Sequence, residues 1–257
     1  MTPARKRKWG RVRTRLDSEL ARRGLAASRE SAQRLILAGC VRVNSRPAGK
    51  PDLKVDEDTN IEVVGVHDPY ASRGAYKLAA ALDAFPIEVE GRLALDVGAS
   101  AGGFTDILLT RGVRRVIALD VGYGQLDLRL RGDSRVVVVE RTNIRHIAAG
   151  DLEYRPDLVV IDVSFISLKL VLPAVAALAA ARCDIVALIK PQFEVGKGEV
   201  GKGGVVRDET ERQRVVEEIS NCAAGLDLAV KGVVASPVIG PAGNREYLMW
   251  MVKGAPG

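Results

Sequence analysis

The residues Leu93-Ala-Leu-Asp-Val-Gly-Ala-Ser-Ala-Gly-Gly-Phe-Thr105 constrain this chain more than any other stretch. An apolar run ends in a carboxylate, a glycine turn follows, and helix-compatible residues begin. The pattern predicts a buried strand, a loop and a helix N-terminus. Glycines let the main chain approach a ligand closely, and the first turn of a helix offers N–H groups without intrahelical acceptors. Asp96 at the strand tip suits a ligand with cationic groups better than a pyrophosphate. Ser100 also stands where the dinucleotide pattern G-x-G-x-x-G needs its second glycine. The sulfonium and α-ammonium of S-adenosylmethionine meet this requirement. Asp96, Gly98, Ala99, Ser100, Gly102, Gly103 and Phe104 are therefore the expected donor-binding residues.

Two other motifs compete with this reading. Gly98 to Gly102 also spells G-x-S-x-G, the nucleophile elbow of α/β-hydrolases, with Ser100 as nucleophile. That reading needs a late histidine, and the only one downstream is His146, with no strand-end loop late in the chain to hold it. Gly196-x4-Gly201-Lys202 nearly spells a P-loop, but Gly203 stands where Ser or Thr must hold magnesium and no strand feeds the loop. The segment from Glu194 to Arg207, with Lys197, Lys202 and Arg207, reads instead as a mobile basic flap.

Around the glycine loop, strand-like and helix-like segments alternate. Strands are expected at Leu93–Val97, Val116–Asp120, Val136–Glu140, Leu158–Val163, Ile185–Lys190, Val230–Ala235 and Glu246–Val252. Helices are expected from Ser72 to Phe85 and near 102–111, 123–131, 142–149, 167–181 and 208–224. This βαβ alternation predicts an α/β fold: a mainly parallel, Rossmann-like sheet of seven strands covered on both faces. Ligands of such sheets sit beyond the carboxyl ends of the strands. Asp96, Asp120, Asp162 and Lys190 all fall there. Asp120 lies 24 residues after Asp96, placed to accept hydrogen bonds from both ribose hydroxyls of an adenosine cofactor. Thr142 or Asn143 is a candidate for the adenine edge.

The 257 residues carry a net charge of +6, which favours a polyanionic partner. Arg5, Lys6, Arg7, Lys8, Arg11, Arg13 and Arg15 crowd the first fifteen residues without an acid between them. Cys40, Cys183 and Cys222 lack metal-ligand spacing and read as small buried residues of a reducing compartment. With only His67 and His146 besides, no metal site is expected. No apolar run follows the basic start as a signal peptide requires, and Leu170 to Ala181, interrupted by Pro173, is too short to span a bilayer. A cytoplasmic protein without membrane contact is expected.

The region before residue 66 reads as two short helices and a set of short strands. Arg15-Leu-Asp17, Gly24-Leu25, Ser28-Arg29, Leu35-Ile36, Gly39, Val41, Val43-Asn44 and Lys50-Pro51 together resemble the S4 RNA-binding domain. The resemblance implies that Arg15, Arg22, Arg29, Arg34 and Lys50 face structured RNA. The expected organisation is a basic tail at 1–13, an S4-like domain at 14–65, a linker at 66–71 and a catalytic domain at 72–257.

From Ser72 onward the chain resembles the TlyA (hemolysin A) family, an S4 domain fused to an FtsJ-like ribose 2′-O-methyltransferase. The motifs are Ser72-Arg-Gly-Ala-Tyr-Lys-Leu78, Leu95-Asp-Val-Gly-Ala-Ser100, Asp120-Val-Gly-Tyr-Gly-Gln125 and Glu140-Arg-Thr-Asn143. They continue with Asp162-Val-Ser-Phe-Ile-Ser-Leu168, Lys190-Pro-Gln-Phe-Glu-Val-Gly-Lys-Gly198 and Gly243-Asn-Arg-Glu-Tyr247. The resemblance implies S-adenosylmethionine as methyl donor, cytidine in ribosomal RNA of the ribosomal subunits as substrate, and a Lys-Asp-Lys-Glu tetrad at Lys77, Asp162, Lys190 and Glu246. In that scheme Lys190 engages the 2′-hydroxyl, Lys77 lowers the basicity of Lys190, and the two acids fix the lysines. Nothing in the sequence supports the pore that the family name suggests. The linker Asp68-Pro-Tyr-Ala71 lacks the Arg-x-Trp-Val form of some relatives, and a basic extension at the N-terminus alone leaves the choice of subunit open. A non-catalytic RNA-binding or ribosome-assembly factor retaining the fold is the alternative.

Overall fold

The computed structural model describes residues 13–26, 28–37, 39–64, 70–196, 200–201, 203–240 and 243–254, without the side chain of Arg34. Most of the expected tail and linker, and Lys197 and Lys202 of the glycine-rich loop, lie outside the described residues. The chain divides into two compact units, Met1–His67 and Asp68–Gly257.

The first unit runs β1 (Thr14–Arg15), α1 (Leu16–Arg22), α2 (Arg29–Leu37), β2 (Val41–Val43), β3 (Arg46–Pro47), β4 (Lys54–Val55) and β5 (Ile61–Val63). β2 pairs antiparallel with both β3 and β5, and β1 pairs with β4. Leu16 and Leu20 of α1 meet Ala32 and Ile36 of α2 over Val41, Val55 and Ile61, the core that helical spacing predicts. Ser28 caps α2, its Oγ accepting from the Ser31 N–H at 3.1 Å. The turn after β2 falls at Asn44 and Ser45. Both take left-handed φ, 50° and 66°, as a two-residue hairpin loop with the right twist requires.

The second unit continues with α3 (Gly74–Ala84), β6 (Leu93–Val97), α4 (Gly103–Thr110), β7 (Arg115–Leu119), α5 (Leu128–Arg131) and β8 (Val136–Val139). Next come β9 (Leu158–Ile161), α6 (Leu168–Leu178), β10 (Cys183–Ile189), α7 (Pro191–Glu194), α8 (Glu209–Ala224), β11 (Leu228–Ala235) and β12 (Tyr247–Lys253). The sheet order is β11-β12-β10-β9-β6-β7-β8. β12 runs antiparallel to both its neighbours, and the other pairs are parallel. Leu168, Val171, Leu172 and Val175 of α6 and Val215 and Ile219 of α8 cover one face. Leu78, Ala81 and Leu82 of α3 and Phe104, Ile107 and Leu108 of α4 cover the other. Every residue of β9 is buried, which accounts for its unbroken apolar sequence.

All seven expected strands form, within a few residues of their expected ends. Two helices depart from expectation. The segment 123–131 is mostly loop and only α5 is helical, because Asp127 starts it by accepting from the Arg129 N–H at 2.8 Å. The loop before it is closed by Arg141 over the Tyr123 ring at 4.1 Å. The segment 142–149 forms two 3-10 turns, Ile144–His146 and Ala149–Asp151, rather than an α-helix. Here Asn143 and Asp151 bond local main-chain N–H groups, the competition through which such side chains interrupt helices.

The buried side chain of Leu95, in the centre of the sheet, provides a test of this core. Leu95→Ala is expected to destabilise the second unit by about 2–5 kcal/mol, read as a lowered urea midpoint with an unchanged slope.

Candidate active site

β6 and β9 are parallel neighbours from which the sheet grows in opposite directions. A crevice at such a point lies beyond their carboxyl ends. The two tips come unusually close. Gly98 follows β6 with φ +86°, and a Cβ there would stand 2.5 Å from the Asp162 carbonyl oxygen. Only glycine fits this approach. A pocket of about 250 Å³ opens over the two tips. Gly98, Ala99, Ser100, Gly103 and Phe104 form one wall, Ser72, Arg73, Gly74 and Lys77 a second, and Asp162, Ser164 and Lys190 a third, with Val238 and Ile239 at the rim.

The floor beneath the glycine loop is acidic. Asp96 is fully buried; its Oδ2 accepts from Thr105 Oγ1 at 2.7 Å and its Oδ1 has no partner. Burial pushes its carboxyl up to about 7, the Thr105 hydroxyl opposing and nearby Asp162 adding to the rise. Asp120 accepts from the Ser100 N–H at 2.8 Å and from the Gly122 N–H at 2.6 Å, so it fixes the loop while each oxygen keeps a free lone pair. The Ser100 hydroxyl donates to Gln125 Oε1 at 3.3 Å, with no histidine as partner, which removes the basis of the hydrolase reading. Three acids and an orphaned buried oxygen fit a cationic ligand such as S-adenosylmethionine, whose positive charge would offset what their burial costs.

The tetrad assembles as two pairs. Lys77 Nζ donates to Glu246 Oε2 at 2.6 Å, both side chains being almost completely buried. Lys190 Nζ lies 2.5 Å from Asp162 Oδ1, an ion pair off the hydrogen-bonding direction, and donates to Ser164 Oγ at 2.9 Å. Gly103 brings α3 into position: a Cβ there would meet Ser72 Oγ at 2.2 Å and the Ala75 nitrogen at 2.8 Å. The start of α3 thus rests on the glycine loop with Lys77 at the pocket. Ser72 itself precedes the cap, which falls at Arg73.

Asp96, Asp120, Gly102, Asn143 and Glu246 do not line the pocket: Asp96 is fully buried, Asp120 bonds the Ser100 N–H, and Glu246 is reached through Lys77. Gly102 faces Leu126 and Leu130. Asn143 spends its carbonyl oxygen on the Arg145 N–H at 3.1 Å. Several participants escaped sequence reasoning. Asn244 is buried, accepts from the Val206 N–H at 2.9 Å and donates to the Gly204 carbonyl at 2.8 Å. It thereby ties the glycine-rich loop to the segment preceding Glu246. Glu194 accepts from Ser167 Oγ at 2.6 Å and from the Leu168 N–H at 2.8 Å. This joins the segment after Lys190 to the start of α6. Phe165, between Asp162 and α6, is 91% exposed with its ring centroid 5.0 Å from that of Phe193. Ser164, Asn244 and Glu194 all lie in motifs that carry the family resemblance, but their bonding partners needed the fold.

In the first unit, Arg15 and Arg29 both bond the buried Asp17, and Arg22 and Arg23 both bond the buried Glu19. Lys50 is exposed, and the side chain of Arg34 lies outside the described residues. No helix among the described residues is long and apolar enough to cross a membrane, and no group of three or more His, Cys, Asp or Glu among them is arranged for a metal ion.

The raised Asp96 gives a test. Between about pH 4 and 7 the native state holds a proton there that the unfolded chain has released, so stability falls as pH rises through this window. Asp96→Asn removes the titration, and calorimetry across that range is expected to show a flatter decline in Tm than in the parent protein. An identical slope would place the ionisation elsewhere.

The description "FtsJ-like methyltransferase" matches residues 70–253 and "S4 domain" matches residues 14–61. The chain is 53% identical over 240 residues to the 16S/23S rRNA (cytidine-2′-O)-methyltransferase TlyA of Mycobacterium tuberculosis, covering 93% of this chain and 90% of that one. It is 40% identical over 235 residues to Hemolysin A of Brachyspira hyodysenteriae, covering 91% and 98%. A solved structure from Streptococcus thermophilus that carries the hemolysin label superposes with a TM-score of 0.74 at 39% identity, covering 95% and 89%. With both domain matches in order and this identity over nearly the whole length, the chain belongs to the TlyA (hemolysin A) family, in which an S4 domain precedes an FtsJ-like methyltransferase.

Proposed function

We propose that the protein is an S-adenosylmethionine-dependent methyltransferase acting on the 2′-oxygen of a ribose, cytidine by its likeness to the M. tuberculosis relative, in ribosomal RNA. The observation that carries the reading is the meeting of two lysine–acid pairs around one pocket beside the glycine loop. S-adenosylmethionine supplies an electrophilic methyl group on a cationic sulfur. Asp96, Asp120 and the loop from Gly98 to Phe104 are the residues to hold it.

A ribose hydroxyl is a weak nucleophile and gains from being oriented and relieved of its proton during displacement. Lys190 carries the orienting part of that role. Asp162 and Ser164 hold its nitrogen at the pocket wall, and its N–H groups not given to Ser164 meet the hydroxyl oxygen as the C–S bond breaks and the C–O bond forms, the hydroxyl proton leaving to water. Lys77 gives its charge to Glu246, leaving Asp162 as the near countercharge of Lys190. This pair therefore acts more by fixing the wall than by repelling Lys190. The same reading places the protein in the cytoplasm, where ribosomal subunits are assembled.

Transfer of a tritiated methyl group to purified small and large subunits tests the assignment. Lys190→Ala is expected to lower the rate about 10²–10⁴-fold while donor and RNA binding persist. Full activity in that variant would remove Lys190 from the chemistry. Binding of donor and subunits by the parent protein with no transfer to either would favour an assembly factor instead.

A further inference from the structure

The loop that follows β7 passes beside the Asp120 carboxylate, and its two ends are tied down. The Gly122 N–H donates to Asp120 Oδ1 at 2.6 Å, and the Gly122 carbonyl accepts from the Arg141 N–H at 2.9 Å. At the far end the Asp127 N–H donates to the Ala101 carbonyl at 3.2 Å. Residues 123–125 make no main-chain bond of their own among the described residues. The crown of the loop depends instead on a side chain. Gly124, at the left-handed φ of +67° that glycine adopts freely, turns its N–H to Glu140 Oε1 at 2.9 Å. Glu140 stands just past β8 with its side chain 11% exposed, and the same oxygen accepts from Arg131 Nη2 at the end of α5. One charged oxygen thus holds both the crown of the loop and the helix after it, and its charge strengthens each bond. The Arg115–Glu153 pair, by contrast, joins side chain to side chain and holds no main-chain group.

Gln125 is the residue that this turn presents. Its Oε1 accepts from the Ser100 hydroxyl at 3.3 Å. Its amide lies folded against Gly122: a Cβ at Gly122 would stand 2.2 Å from Gln125 Nε2 and 3.0 Å from Asp120 Oδ1. Amide and carboxylate are therefore close neighbours, and Gln125 Nε2 has no partner among the described residues. Asp120, ionised, accepts hydrogen bonds from a ribose and has none to give. An amide N–H next to it supplies the missing donor for a hydroxyl oxygen.

We propose that Glu140 is a positioning residue of the donor site: through Gly124 it fixes the turn that sets Gln125 beside Asp120, where the Gln125 amide donates to a ribose hydroxyl of the methyl donor. The proposal rests on the methyltransferase reading above and deepens it by two residues that lie outside the pocket wall. Donor and demethylated product share the ribose, so both lose affinity together when the turn is released. The transfer step itself is untouched once the donor is bound, which puts the loss in the donor KM rather than in kcat.

The test is calorimetric binding of S-adenosylmethionine, S-adenosylhomocysteine and the 2′,3′-dideoxy analogue of the latter to the full-length protein. Glu140→Ala is expected to raise Kd for the first two compounds about tenfold. Glu140→Gln keeps an acceptor oxygen for Gly124 and is expected to stay within about threefold of the parent protein. The parent protein prefers S-adenosylhomocysteine to its dideoxy analogue, and Glu140→Ala narrows that preference, because the contact it weakens is one the analogue never makes. A loss of fold stability alone would weaken both compounds equally. Gln125→Ala, at an exposed side chain, narrows the preference in the same way and carries the comparison should Glu140→Ala fail to fold. Donor binding by Glu140→Ala like the parent protein's, equal weakening toward both compounds, or Glu140→Gln as weak as Glu140→Ala would overturn the proposal. So would Gln125→Ala binding the two compounds in the parent's ratio. If the parent protein binds neither S-adenosylmethionine nor S-adenosylhomocysteine, the functional reading itself fails, and that outcome is separate from the others.

Discussion

The close approach of the β6 and β9 tips is the constraint on which the site depends. A backbone contact that only glycine permits brings the loop at Gly98 against the carbonyl of Asp162. One pocket therefore has a glycine loop on one side and an ionisable pair on the other. The neighbouring strand β10 ends at Ile189 and presents Lys190 next to Asp162. The helix before β6 supplies Lys77, and the antiparallel β12 begins just after Glu246. Groups separated by as many as 169 positions meet because four chain segments end at one edge of one sheet.

Burying charge is expensive, and this site buries a good deal of it. Removing either member of Lys77–Glu246 would leave an unpaired ion in a nearly dry place, whereas the intact pair is roughly neutral in its effect on stability. A pair of this kind contributes geometry above all: both long side chains have one arrangement open to them. Lys190–Asp162 is somewhat more open, at 10% and 21% exposure, which suits the role proposed for it. Asp96, deeper still, has no cation of its own among the described residues, and its shifted carboxyl is the sign of that missing charge.

Much of this was legible in the residue order. The seven strands are apolar runs with few alternatives, and the carboxylate–glycine–helix pattern at Asp96 marks the loop from the residues alone. Resemblance located Lys77 and Glu246, which no local pattern identifies, because an isolated lysine on a helix and an isolated glutamate before a strand read equally well as solvated surface. The segments expected to be helices, 123–131 and 142–149, contain Gly124, Asp127 and Asn143 and are flanked by Gly122 and Asp151, whose side chains or freedom favour tight local bonds over helix. The S4 arginines were legible as basic residues. What remained hidden was their division of labour, since Arg23 differs from Arg29 only in which carbonyls happen to lie within reach.

The carboxylate of Glu194 has a consequence for how this enzyme family can vary. It receives hydrogen bonds from the residues that begin α6, although it stands just past Lys190 on another strand's exit. The stretch bearing Asp162, Ser164 and Phe165 and the stretch bearing Lys190 and Phe193 are thereby fastened into one mechanical piece. An insertion in either would drag the other along. On the opposite bank the bonds at Val238 are local, its N–H and carbonyl both meeting Ser236 Oγ, so that rim has more freedom to change without disturbing Asp162 or Lys190.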